Sequence, residues 1–186
     1  MSRAYEIRVA RSLTSHKRIE DGIEARLELL PILDRERTGS LLAEQLKERG
    51  WTIEEGVAKR EVDGVKVEVD TTTGTITLRT DKDLTITVEG ERRKRSWDER
   101  ATQDQKVLEQ ELDQALERSV EEKTQKELDQ LSEQLERVLT EIKPELDQAT
   151  DAVNRTALRE KAAQLGQIMD IAEDGESGEM TIRVKV

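Results

Sequence analysis

The chain has no cysteine, no phenylalanine, one histidine, two prolines and only three aromatic residues, Tyr5, Trp51 and Trp97. Each shortage excludes something. Without cysteine there are no disulfides and no thiolate chemistry. A zinc centre usually draws on several Cys or His ligands, and the one candidate is His16. A Ser-His-Asp triad would have to use the same residue, which sits in a polar segment that reads as an exposed loop. No Gly-x-x-x-x-Gly-Lys-Ser/Thr phosphate loop is present. No stretch reaches the ~18 apolar residues of a membrane span, and the N-terminus carries no apolar run of the signal-peptide kind. These absences lead us to expect a cytoplasmic protein without membrane insertion, without a metal and without a cofactor.

The scarcity of rings also bears on shape. At 186 residues the chain is long enough to bury a core. Yet 34% of it is hydrophobic and 39% charged, against typical shares of ~45–50% and ~25%. An elongated molecule with much surface per residue is expected. The net charge of −11 is uneven: residues 1–95 balance at zero, residues 96–166 carry −8 and the last 20 residues −3. An acidic C-terminal half repels nucleic acid and anionic lipid and favours a basic protein partner or simple solubility.

What is present is pattern. Tyr5, Ile7 and Val9 alternate with polar residues, which predicts a strand over residues 4–11. Residues 12–22 read as a loop. Ile23, Ala25, Leu27 and Leu29 then form a second half-buried strand, ended or placed at an edge by Pro31. Asp34 is a suitable N-cap for a helix over residues 35–49 with Leu41, Leu42 and Leu46 buried, and Gly50 suits its C-cap, with Trp51 packing back. Residues 51–89 read as a β-meander, with a type I′ hairpin at Asp63-Gly64 and turns at Thr72-Thr73-Gly74 and Asp81-Lys82-Asp83. Residues 90–95 read as a charged linker.

Ser96 and Glu99 form a capping box before a glycine-free stretch, residues 97–165, rich in helix formers. Leu128, Leu131, Leu135, Val138 and Ile142 repeat at heptad spacing. Leu108, Leu112, Leu116 and Val120 step by four, and Leu146, Ala149 and Val153 resume a stripe beyond Pro144. One helix of that length would reach roughly 100 Å and leave its stripe to a partner chain. A helical hairpin or kinked bundle is therefore expected, turning near residues 120–127 or at Pro144. Gly166 should end the last helix, and residues 174–178 look like a loop. Met180, Ile182, Val184 and Val186 alternate as a terminal strand, whose visible place is the N-terminal sheet. The expected fold is α+β: an antiparallel meander with one short helix, a long inserted helical arm with coiled-coil character, and a C-terminal strand returning to the sheet. The expected division is residues 1–95 with 167–186 as the sheet domain, and 96–166 as the arm.

This order opens with Met1-Ser2-Arg3-Ala4-Tyr5-Glu6-Ile7 and closes with Gly178-Glu179-Met180-Thr181-Ile182-Arg183-Val184. It resembles the small accessory proteins encoded beside FtsH-type proteases and MoxR/vWA proteins in bacterial FtsH ternary systems. Those are in turn similar to a conserved family of cyanobacteria and plastids. The resemblance lies mainly in the two ends and in the helix over residues 155–165, while the arm over residues 97–153 departs from the shorter relatives. It implies an accessory or adaptor role in an NTP-driven AAA+ protease or chaperone-like assembly, and it transfers no catalytic residue.

The surface motifs each admit a plain reading and a functional one. Arg92, Arg93, Lys94 and Arg95, beside Trp97, are either a solvated linker paired to acids on the arm or a docking site for an acidic partner, a phosphate or RNA. The stripe Leu128, Leu131, Leu135, Val138 and Ile142 is either core packing or a self-association seam that would make a homodimer. Asn154-Arg155-Thr156 matches a glycosylation sequon, but in a helix of a cytosolic protein it is a chance match. Asp174 and Glu176 lack EF-hand spacing. Paired carboxylates could serve a hydrolase, though without aromatics to stack a sugar. The leading expectation is a non-enzymatic interaction protein, with a nucleic-acid- or phosphate-binding module and a carboxylate-dependent hydrolase as alternatives.

Overall fold

The computed structural model describes residues 4–97, 100–173 and 180–185. The α+β class holds. The elements are β1 (Ala4–Arg26), α1 (Arg35–Glu48), β2 (Thr52–Glu54), β3 (Val57–Val62), β4 (Val65–Asp70), β5 (Thr75–Trp97), α2 (Ala101–Leu165), β6 (Gln167–Glu173) and β7 (Met180–Lys185). Strands β1 to β5 form one sheet in the order β1-β5-β4-β3-β2. The chain divides into two compact units, one of Met1–Asp21 with Asp81–Glu133 and one of Gly22–Thr80 with Gln134–Val186. We call them the ribbon unit and the sheet unit. Strands β1 and β5 and helix α2 contribute residues to both.

In the sheet unit local signals behave as the sequence predicts. Asp34 caps α1, its carboxylate accepting from the Arg37 N–H at 2.8 Å. The helix closes at Gly50, φ +86°, and the Trp51 N–H returns to the Leu46 carbonyl at 3.1 Å. Asp63 and Gly64 both have positive φ, 50° and 76°, as a type I′ turn between the paired Val62 and Val65 requires. Val65, Val67 and Val69 of β4 face Ile76 and Leu78 of β5 and Ala58 of β3 on one side of the sheet. Leu41, Leu42 and Leu46 of α1 cover that side together with Leu135, Val138, Ile142, Leu146, Ala149 and Val153 of α2. Lys59, Lys66, Glu68 and Arg79 stand exposed on the other side, which gives the one-face-wet alternation of an antiparallel sheet.

In the ribbon unit β1 and β5 continue past β4, which reaches β5 only over residues 75–79. Side-chain bonds run Arg8–Glu91, Thr14–Thr87, His16–Thr85 and Arg18–Asp81, falling along β5 as they rise along β1. Val9, Ile19, Leu84, Ile86 and Val88 pack under Leu108, Leu112, Leu116, Val120 and Leu131 of α2.

Several expectations are corrected. Residues 12–22 are strand, not loop, and His16 lies on that strand. Inward Leu13 and Ile19 keep the alternation of Ile7 and Val9 going through polar outward residues. Asp81-Lys82-Asp83 is no turn and residues 90–95 are no linker, because β5 runs unbroken to Trp97. The helical arm is no hairpin: α2 is one helix of 65 residues with Pro144 inside it. A proline removes one hydrogen bond from a helix interior. Here Ile142, Leu146, Ala149 and Val153 stay buried on both sides of it, so packing holds the helix across the gap. Leu135, Val138 and Ile142 of the stripe are buried against α1 and strands β3 to β5, and Leu131 against β1 and β5.

The terminal strand is also placed differently. β7 pairs with β6 in a separate two-stranded sheet, not with the N-terminal sheet. Its partner follows directly after α2, and pairing close in sequence costs the least loop-closure entropy. Gly166 sits where the two meet: a Cβ there would collide with the Lys185 carbonyl oxygen. Glu99 of the expected capping box, Asp174 and Glu176 of the loop, Val186, and the first residues of the chain lie outside the described residues.

Candidate interaction surface

The basic run lies on the last stretch of β5, where alternation divides it between two faces. Lys94 and Ser96 turn toward α2 and both bond Asp104, Lys94 Nζ at 2.9 Å. Arg93 turns the other way and donates to Glu91, which also receives Arg8 of β1. Arg92 and Arg95 are exposed, as is Trp97, at 58%. The four cations therefore do not form one patch.

Electrostatics explains the uneven charge noted in the sequence. Acids of α2 face cations of the strands: Arg11 meets Glu109 and Asp113, Lys82 meets Glu127 and Lys94 meets Asp104. Hydrogen bonds from Arg93 and Arg8 hold Glu91 below the usual carboxylate range. The Ser96 hydroxyl and the Lys94 ammonium do the same for Asp104. In the sheet unit Arg37 lowers Glu160 and Lys59 lowers Glu54. Exposed pairs of this kind add little stability each, but they balance an acidic helix against basic strands.

The predicted helical stripe is divided too. Leu131 is buried and Leu128 half-buried in the ribbon core, while Leu135, Val138 and Ile142 are buried in the sheet core. His16 is exposed, with Nδ1 3.0 Å from the Thr85 hydroxyl.

The sequence passed over a second surface, in the sheet unit. A cleft of about 740 Å³ lies between β1 with the extended chain after it and α2, with Leu27, Leu30, Ile76, Leu139 and Leu146 among its apolar walls. Asn154 closes one end. Its side-chain carbonyl accepts from the Leu30 N–H at 3.0 Å and its amide nitrogen donates to the Glu28 carbonyl at 3.2 Å. Thr150, 6% exposed, also lines the cleft, and its hydroxyl has no hydrogen-bond partner. Asn and Thr have low helix propensity, and two of them beside the buried Ala149 and Val153 were the available signal.

Comparison with known proteins turns on one match. A family model described as FtsH ternary system domain X5 matches residues 1–186. The chain belongs to that family. Membership makes it an accessory protein of the FtsH ternary system kind. The match spans the long helix as well as the two ends. No curated protein and no solved structure matches the chain. No helix among the described residues is long and apolar enough to cross a membrane.

Proposed function

We propose that the chain is a non-enzymatic adaptor, a cytoplasmic accessory component that docks onto the protein components of an FtsH-associated system, its AAA+ ATPase or protease among them. The observation that carries this reading is the family match over the whole chain. The side chains support it. A nucleic-acid module would need Arg92, Arg93, Lys94 and Arg95 to track one backbone. Two of them are committed to carboxylates on opposite faces.

The test is reconstitution. The chain is mixed with each purified protein of the FtsH system from its own host, and complex formation is followed by sedimentation or light scattering. A defined complex with at least one component is expected, with the ATPase or proteolytic rate changed when the chain is added. Failure to associate with every component at micromolar concentration, with rates unchanged, would overturn the adaptor reading.

A further inference from the structure

We infer that the cleft between β1 and α2 is a binding site for an extended peptide segment of a protein partner, added as a strand to the outer edge of β1. The inference rests on the adaptor reading and gives it a place. β1 is the end strand of its sheet. The Leu27 N–H points inward, to the Gly74 carbonyl at 2.9 Å. Backbone groups alternate sides along an extended chain, so those of Arg26 and Glu28 face outward, into the cleft. Asn154 demonstrates what that edge accepts. Its amide bonds the Glu28 carbonyl and the Leu30 N–H, the pair of contacts that the N–H and C=O of one residue in a parallel neighbouring strand would make. Asn154 thus ends the available edge, and the stretch before it remains a strand-sized site.

Thr150 is the independent observation. Ser119, Thr124, Ser132, Thr140 and Thr156 of the same helix each donate to the carbonyl four residues before. Thr150 does not, and its hydroxyl is left buried without a partner in the cleft wall. A buried hydroxyl without a partner is costly, and a bound polar atom would relieve that cost.

Charge selects the occupant. Asn154 ties the end of α2 in the cleft to residues 28 and 30. Arg26 and Lys143 therefore lie toward one end, Glu28 and Asp151 toward the Asn154 end, with Asp147 between. The complementary peptide has a carboxylate at the Arg26 end, a cation at the Asn154 end, and β-branched residues between them that set alternate side chains against the accessible Leu139 and Leu30 of the lining. Strand addition of this kind takes affinity from the backbone and specificity from alternate side chains.

The probe is a blocked peptide, Glu-Thr-Val-Thr-Val-Thr-Lys, and its sequence reversal, added to the full chain. In the free protein the Arg26 and Glu28 amides should exchange hydrogen much faster than that of Leu27. Saturating peptide of at least one direction should slow both by about tenfold or more, and the same peptide N-methylated at alternate backbone nitrogens should not. Arg26→Pro should abolish the slowing at Glu28, because a proline is tolerated where an edge N–H faces outward. Arg26→Thr, which loses the same charge, should keep most of it. Asp151→Lys should weaken the Glu/Lys peptides several-fold and favour one with Glu at both ends. Thr150→Val should raise the thermal midpoint of the free chain and weaken the peptide.

Unslowed amides at millimolar peptide, or slowing that survives N-methylation, would overturn the site; both are read on the wild-type chain, so they hold even if Arg26→Pro fails to fold. A dimer of the chain that Arg26→Pro splits would make a second copy the occupant and overturn the assignment to a partner. The two readings fail separately. A complex with FtsH-system components that Arg26→Pro leaves intact removes this site and keeps the adaptor. Peptide binding at the edge without any such complex keeps the site and removes the adaptor.

Discussion

The two units use the same three long elements and bury them to different depths. In the sheet unit two helices close over the sheet, and Leu42, Leu46, Leu78, Leu135, Leu146, Val65, Val67, Val69, Val138 and Val153 are each less than 2% exposed. In the ribbon unit one helix lies on two strands, and its buried apolar residues, from Leu112 at 3% to Val9 and Leu84 at 8%, all keep some exposure. Among the described residues there, only Ser96 is fully buried. The difference follows from layer count. A ribbon two strands wide offers a helix a narrow apolar strip, whereas a five-stranded face accommodates two helices and shuts water out from the sides. Stability should be distributed accordingly, with the ribbon unit opening at lower free energy.

The largest expected effect tests the deep core. Leu135→Ala should cost about 3–4 kcal/mol, the upper part of the range for a fully enclosed leucine, measured by chemical denaturation. The matching substitution in the thin core, Leu112→Ala, should cost about 2 kcal/mol. It should also speed amide exchange over residues 84–88 while leaving residues 65–69 protected. Equal costs, or exchange that rises in both places together, would show a single cooperative core and end the comparison.

Smaller effects sharpen it. Glu145 of α2 accepts the Trp51 Nε1 hydrogen at 2.7 Å and holds Arg60, whose guanidinium lies 5.9 Å from the Trp51 ring centroid. Glu145→Leu leaves a buried indole N–H without its acceptor and should cost about 1–2 kcal/mol. Trp51 fluorescence should shift in a Trp97→Phe background, with residues 84–88 undisturbed. Asp34→Ala removes the cap of α1 and should cost about 1 kcal/mol, again confined to the sheet unit.

Acid should touch both units weakly. The folded pKa of Glu54, Glu91, Asp104 and Glu160 is depressed, so the folded state binds fewer protons than the unfolded one. Their stabilisation is complete above the ordinary carboxylate range and is lost as pH falls through the depressed values. Denaturation midpoints should fall gently below roughly pH 5, and less so in high salt, where exposed pairs are already screened. A midpoint that rises on acidification would contradict the ion pairing described for the strands and α2.

How much of this was legible in the sequence varies with the source of the signal. Where a local rule decides, it was readable: Asp34 as a cap, Gly50 as a stop, Asp63-Gly64 as a turn, and the alternation of β4. The ribbon was not, because its outward residues are polar and its inward ones, such as Leu13 and Ile19, are interrupted by charge. The repeat fades where each strand has only one neighbour and one covered face. Pro144 misled for a different reason. A proline weighs heavily in an isolated helix, and the sequence alone does not announce that Leu146 and Val153 will be held against a sheet. The cleft escaped notice because its defining contacts, Asn154 to Glu28 and Leu30, join residues more than 120 positions apart.

The order of the strands has a consequence for how the chain is made. β2, β3, β4 and β5 follow one another through short turns, so each can pair as soon as its neighbour has been synthesised. β1 emerges first, yet its only neighbour is β5, and Arg11 and Asp21 meet helix residues 102 and 111 positions later. The leading segment must wait, unpaired, until β5 begins, about fifty residues after β1 itself is complete. Its high density of Arg, Lys, Ser and Thr keeps that waiting strand dissolved, and its docking is the step expected to limit the folding rate.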